Sequence, residues 1–448
     1  MNIKKFPGPE KTFFGANADK DFYFNILEYL FQLQSKYGEA VHFNAMKHNM
    51  YLISDIDLVE KILVKHPDKF LKGTSVQRLK IIIGTGLISS EGEIHDTHRL
   101  MLANDFKKNN VVKYFDFVKE SVSAMISKWE KISKQNDNKI EIHSEAGDLY
   151  VDVIMRSIFS DDVSDEIIST GQKLNRLFYN ASPLLLVAPK LSLKLPVPEA
   201  IRFKKTKSAF DKLLKSKIKN RFNSGIRKND LLDTLIYSKS KTGYSMSEDA
   251  VFNEVITFFL AAADTTSKTL SWVLYLITKN PEIFSKVNDE FNKNISEKIN
   301  YDEFNNLIYT KCLIAESLRL YPPVWAISRC PVENVILNGL EFKKDSTILI
   351  FPYYIHRMEK YFKSANECIP ERWMSKDSAK FPKYAYIPFG AGPRVCLGDN
   401  FAWMELFTAM AFILKKFNLN LITKSDPGLS SAITLKPKKD IIIEISNK

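Results

Sequence analysis

The sequence predicts a mainly α protein with a minor β portion, an α+β arrangement in one large domain over residues 1–448. Three observations carry that expectation. Residues 251–279, VFNEVITFFLAAADTTSKTLSWVLYLITK, are apolar on almost every side of a helix, which marks a long buried helix. Helical periodicity recurs along much of the remaining chain. Strand-like alternation is confined to short runs, mainly near 40–70 and 332–351.

Each element follows from its residues. DFYFNILEYLFQLQSKY (21–37) reads as a helix that Gly38 closes, since glycine enters the left-handed region without penalty. AVHFNAM (40–46) and NMYLIS (49–54) alternate as a hairpin, and IDLVEKILVKHPDKF (56–70) follows as a helix. A glycine-containing loop is expected at 72–94, then helices to about 130 and again from 146. The tract 175–200 is apolar but broken by four prolines, which suits a short mobile connection over an apolar cavity. Further helices are expected at 281–296 and 302–320. NVILNGLEF and STILIF read as a hairpin turning at Asn338-Gly339, and 351–388 has no clear period. DNFAWMELFTAMAFILKKF (399–417) is helical, and FNLNLI and DIIIEIS alternate like sheet.

Composition narrows the function classes. The chain is 45% apolar and 26% charged, ordinary for a globular protein. No apolar stretch is long enough for a transmembrane helix, and MNIKKFPGPEKTFFG lacks the apolar run of a signal peptide, so no membrane anchor is expected. The four cysteines form no CxxC pair, which fits a reducing cytoplasm. The net charge is +12, concentrated at 202–221, where nine basic residues face one acid, Asp211. Phe203, Phe210, Leu213, Leu214 and Ile218 recur there at helical spacing, giving an amphipathic helix with a basic outer face. Such a face stays wet, or meets an anionic membrane surface or an acidic partner. No nucleic-acid-binding motif accompanies the charge, so nucleic acid is not an expected partner.

The stretch FGAGPRVCLG (389–398) gathers three of the chain's 16 glycines and one of its four cysteines. Gly390, Gly392 and Gly398 permit conformations and close approaches that a Cβ forbids. Cys396 falls just before a helix beginning near Asp399, where free N–H groups and the helix dipole favour thiolate over thiol. Arg394 adds a second positive charge. A thiolate held this way serves as a nucleophile, a redox thiol or a metal ligand. A nucleophile needs a base, and no histidine lies nearby in sequence; a redox pair needs a second cysteine, and Cys368 is not at motif spacing.

FGAGPRVCLG resembles the Phe-x-x-Gly-x-Arg-x-Cys-x-Gly haem-ligand signature of the cytochrome P-450 family at every specified position. The resemblance implies that fold, with haem between a long distal helix and the helix that follows the cysteine loop. It makes Cys396 the axial thiolate on the iron of haem b, pairs Arg394 with a propionate, sets Phe389 beside the sulfur and keeps Gly398 within the cofactor loop. It covers nearly the whole chain, from about Pro7 to the C-terminus.

Other motifs appear in the family's order. AESLRLYPP places Glu316 and Arg319 on one helical face among apolar neighbours, where a buried ion pair needs a further partner. Arg372 in PERW supplies one, resembling the family's structural Glu-Arg-Arg triad. AAADTT (261–266) resembles the family's acid–alcohol stretch, with Ala262 where glycine is common. It implies Asp264 and Thr265 as a catalytic proton relay, with the Thr265 hydroxyl returned to the carbonyl one turn back. GEIHDTHRL brings His95 and Arg99 one turn apart, resembling the propionate-binding element of the family, and Arg329 in AISRC matches a further propionate position.

The implied function is O2- and electron-dependent hydroxylation or epoxidation of a lipophilic fatty acyl, terpenoid or polyketide compound. By family correspondence, Phe258, Ala261, Val324, Ile327 and Ile433 line the substrate, together with the 72–94 loop and the 175–200 tract. Electrons are expected from a separate ferredoxin or flavodoxin with its reductase. The competing readings are a haem-thiolate enzyme that rearranges or dehydrates its substrate, and a non-enzymatic haem-based sensor.

Overall fold

The computed structural model describes residues 3–10, 22, 25–45, 48–180, 189–374, 381–431 and 433–448. They form a mainly helical protein with small sheets, in two compact units. One comprises Met1–Gln77, Ala315–Cys396 and Leu429–Lys436; the other comprises Arg78–Ile314, Leu397–Gly428 and Pro437–Lys448.

The first unit is built on a five-stranded sheet. Its order is Ala40–Ala45, His48–Ile53, Thr347–Ile350, Ile327–Pro331, Phe70–Lys72. Alternation sorts the side chains onto two faces. Tyr51, Ile53, Ile348 and Ile350 pack with Leu58, Ile62 and Phe342 on one side. Leu52, Val41 and Phe43 pack with Leu30, Trp325 and Phe351 on the other. Leu30 belongs to the helix Ile26–Tyr37, which Gly38 ends at φ +94°, its N–H bonded to Gln34 O. Met46, Asp21 and most of the neighbouring N-terminal residues lie outside the described residues.

Two expectations for this unit need correction. The predicted helix over 56–70 is α-helical at Ile56–Glu60, capped by Asp55, continues as a π-helix over Lys61–Lys65, and after His66 gives way to a 3-10 turn over Pro67–Lys69 and the strand Phe70–Lys72. Pro67 lacks an N–H and disfavours helix at His66, so the run cannot continue. Asn338-Gly339 does turn a hairpin, both residues at positive φ as a type I′ turn requires, but it joins Val335–Leu337 to Leu340–Phe342. Thr347–Ile350 instead pairs in parallel with Met50–Ile53 and antiparallel with Ile327–Arg329. Periodicity shows that a segment is a strand, not which neighbour buries its face.

The second unit centres on the helix Glu248–Lys279, opened by Ser247, whose Oγ accepts Ala250 N–H at 3.2 Å. It is buried for most of its length, as its all-round apolar character requires, and packs against Ile142–Phe159. The helix Pro198–Ser224 buries Phe203, Phe210, Leu214 and Ile218 and turns most of its lysines outward. The C-terminal strands Phe417–Leu421 and Ile442–Asn447 pair, and Lys139–Glu141 adds a third strand.

Here too the sequence reading is corrected. The expected 72–94 loop contains the helix Thr74–Ile83 and ends in the helix Gly92–Leu102, leaving irregular chain only between them. The helix expected from 146 starts at Ile142, because Glu141 caps it by accepting the His143 and Ser144 N–H groups at 3.0 and 2.6 Å. Residues 301–320 split at Leu307 into a 3-10 turn and the helix Ile308–Leu320. The 175–200 tract is helical at both ends, finishing Asp165–Tyr179 and starting Pro198–Ser224, with Pro189–Ser192 between; 181–188 lie outside the described residues. No helix among the described residues is long and apolar enough to cross a membrane.

Candidate functional site

In the first unit the cysteine loop is fixed by its own backbone. Cys396 N–H bonds Phe389 O at 2.9 Å, Gly390 N–H bonds Ile387 O at 3.0 Å, and Val395 N–H bonds Gly392 O at 3.0 Å. Gly392 has φ +73°, and a Cβ there would lie 2.0 Å from Leu63 O, so only glycine fits. Gly390, also at positive φ, faces Ile327 Cδ1. Cys396 is exposed; Phe389 and Arg394 are half-buried. Three residues on, the helix Asp399–Lys416 begins with Gly398 at its N-cap, where an added Cβ would meet open space.

These residues fit a haem. The group brings four nitrogen ligands of its own and needs one sulfur, and the loop presents an exposed one. Among the described residues no three His, Cys, Asp or Glu gather as a metal cluster, and a single thiolate needs none.

The same unit brings Glu316, Arg319 and Arg372 together. Glu316 is fully buried and accepts from Arg319 Nη2 at 2.8 Å and Nε at 2.9 Å, and from Arg372 Nε at 3.0 Å. Trp373 Nε1 at 2.8 Å and the Ile369 N–H at 3.0 Å complete its shell. Arg319 spends its remaining donors on the carbonyls of His356, Ala365 and Glu367. Every charge is met, which is what buried ions demand. Arg329 is 6% exposed on the strand Ile327–Pro331, with Nη1 bonded to Ser328 O at 2.9 Å. Ile327 and Ile433 are half-buried, while Val324 is exposed.

The second unit holds the acid–alcohol pair. Thr265 Oγ1 donates to Ala261 O at 2.7 Å, one turn back. Asp264, 7% exposed, accepts from Lys268 Nζ at 2.5 Å within the same helix. Burial lowers the pKa of Lys268, against the opposing pull of Asp264. Thr266 Oγ1 donates to Glu405 Oε2 at 3.0 Å, and burial pushes the Glu405 carboxyl up to about 8. Phe258 is buried against Phe106, and Ala261 is half-buried.

His95 is buried, with Nδ1 2.8 Å from Asp96 Oδ1. Arg99, half-buried, pulls the Asp399 carboxyl down against a larger upward push from burial. Their neighbour His98, which motif reading passed over, is buried with Nδ1 2.8 Å from Glu254 Oε1. Glu254 also accepts the Leu87 N–H at 3.0 Å, tying the long helix to the loop before Gly92. Lys268 and Trp373 were missed as well. The Asp264–Lys268 spacing of one turn was available in the sequence, whereas Trp373 lies 57 residues from Glu316 and only folding joins them.

The cytochrome P-450 family model matches residues 7–444. A relative from Streptomyces melanosporofaciens, cyclooctat-9-en-7-ol 5-monooxygenase, is 27% identical over 88% of this chain and 85% of its own. Leukotriene-B4 omega-hydroxylase 3 of Mus musculus is 28% identical over 76% of this chain and 70% of its own. Among solved structures, the cytochrome P450DA heme domain superposes with a TM-score of 0.83 at 20% identity, covering 100% of this chain and 98% of that one, a likeness of fold. With the family match running almost end to end, the chain belongs to the cytochrome P-450 family.

Proposed function

We propose that the protein is a haem-thiolate monooxygenase that hydroxylates or epoxidises a lipophilic small molecule. The observation that carries this reading is the exposed Cys396 held by backbone hydrogen bonds in a glycine-shaped loop. Cys396 would ligate haem b; Arg394, Arg329, Arg99 and His95 would serve its propionates, with Phe389 beside the sulfur and Gly398 leaving room. Once bound, such a group supplies dioxygen activation, which a thiolate ligand promotes by pushing electron density onto iron.

The protein's own residues place and protonate. The loop hydrogen bonds orient the sulfur. Thr265, turned to Ala261 O, holds a hydroxyl on the long helix, and Asp264 beside it takes up and passes protons. Glu316, Arg319 and Arg372 brace the chain leading to the loop. Phe258, Ala261, Val324, Ile327 and Ile433 would meet the substrate, and their apolar character supports a hydrocarbon-rich one. The names of both relatives point the same way, one to an unsaturated alcohol and one to terminal hydroxylation of a leukotriene.

Electrons would come from a separate ferredoxin or flavodoxin with its reductase, steered by the positive charge of the protein, so added salt slows reduction. The family match crosses both compact units, which supports one functional domain over residues 1–448. The four cysteines are thiols, in keeping with a reducing cytoplasm.

The test is a carbon monoxide difference spectrum of the reduced, haem-loaded protein. The thiolate-type absorption is expected, and its loss in Cys396→His. An unchanged spectrum in that variant would overturn the assignment. Spin-state shifts on titrating apolar compounds then identify the substrate class.

A further inference from the structure

Lys268 is a lysine on the apolar, buried part of the long helix, and no sequence motif demands it. Its side chain is 2% exposed and that of Asp264 10%, and the two meet at 2.5 Å across one helical turn. An ammonium this deeply buried is costly unless it is paired. A surface pair of the same spacing contributes too little to stability to explain a lysine in such a place. The pair therefore does something to Asp264.

We propose that Lys268 is a positioning residue for the proton relay, holding the Asp264 carboxylate in place and keeping it ionised inside the protein. The inference rests on the monooxygenase reading above. Buried alone, a carboxyl favours its neutral form and releases a proton poorly. With an ammonium against it, the carboxylate accepts a proton relayed through water from bulk solvent and hands it to the Thr265 hydroxyl, one residue away, which releases its own proton onward to the reacting site, while Lys268 keeps its own protons throughout. No bond other than O–H is made or broken, and no electrons move. Burial lowers the lysine pKa and Asp264 raises it again, consistent with an ammonium that depends on its partner.

The experiment compares the haem-loaded protein with Lys268→Met, which keeps the length and removes the charge, and Lys268→Arg, which keeps the charge. Infrared difference spectra of the resting protein at neutral pH read the carboxyl directly. Measured against native protein, in which Glu405 already contributes a protonated carboxyl, Lys268→Met is expected to show an additional protonated-carboxyl stretch that disappears in the Lys268→Met/Asp264→Asn double variant, and Lys268→Arg shows no addition. In turnover, product formed per electron pair consumed falls about tenfold in Lys268→Met and recovers in Lys268→Arg, while substrate affinity by spin shift stays unchanged. Absence of either the band or the loss of coupling overturns the proposal. If Lys268→Met does not accumulate, Lys268→Gln, whose amide is uncharged, takes its place under the same criteria. Failure of the monooxygenase reading itself shows separately, as native protein without the thiolate-type carbon monoxide band, and leaves the infrared comparison standing.

Discussion

His356 Nε2 accepts the N–H of Ile387 at 2.9 Å, two residues before Phe389 opens the cysteine loop. The proton of this imidazole therefore sits on Nδ1, which has no hydrogen-bond partner among the described residues. The ring is fully buried, and burial, then the charges of Arg319 and Arg357, lower its pKa to about 3. A neutral histidine thus pins the chain entering the loop, and its own carbonyl accepts from Arg319 of the triad at 2.8 Å.

That depressed pKa sets a pH dependence. The folded state binds the proton less tightly than the unfolded chain, so the stabilisation is present above the ordinary value of 6.5 and lost as pH falls towards about 3. His356→Gln keeps an acceptor for Ile387 and removes the titration. Urea unfolding followed from neutral to acid pH should show a shallower loss in the variant. Parallel profiles would refute it.

Breaking the triad leaves buried guanidinium groups uncompensated. Glu316→Gln is expected to destabilise by about 3–5 kcal/mol, because Arg319 and Arg372 lose their carboxylate while both stay buried. Arg372→Lys, which keeps the charge but not the geometry, should cost less. Denaturant midpoints and the fraction of protein purified with haem are the two readouts, and a change below about 1 kcal/mol for Glu316→Gln would contradict the packing described.

Thr265→Ala removes the hydroxyl bonded to Ala261 O without touching the Asp264–Lys268 pair. Hydrogen peroxide released per NAD(P)H consumed should rise and product should fall, with the substrate-induced spin shift retained. Unchanged coupling would remove Thr265 from the relay.

Glu405 titrates in the opposite sense to His356. Burial raises its carboxyl from 4.5 to about 8, so the folded state binds the proton more tightly. Stability is full below 4.5 and declines as pH rises towards about 8, by no more than about 1.4 kcal/mol per pH unit. Glu405→Gln should flatten that decline while keeping an acceptor for Thr266. Between 4.5 and 6.5 the two groups work against each other, so single variants, compared with native protein by thermal or urea unfolding, are needed to separate them.

The features legible in the sequence are those whose signal is local. Gly392 announces a backbone approach, here to Leu63 O, that no other residue tolerates. The all-round apolar run at 251–279 can only be a buried helix, and Asn338-Gly339 can hardly avoid a tight turn. The Glu316–Arg319 pair shows its need for a third partner, because ions among apolar neighbours must be satisfied.

Tertiary structure alone decided the rest. That Thr347–Ile350 joins His48–Ile53 and not the adjacent hairpin depends on which apolar faces bury together, and alternation is the same for either pairing. Trp373 on Glu316, Ile387 on His356 and Leu87 on Glu254 are contacts between distant segments with no spacing to reveal them. Lys268 stands between the two cases. Its one-turn distance from Asp264 was readable from the first, but the worth of an ion pair depends on the water around it, and only packing removes that water.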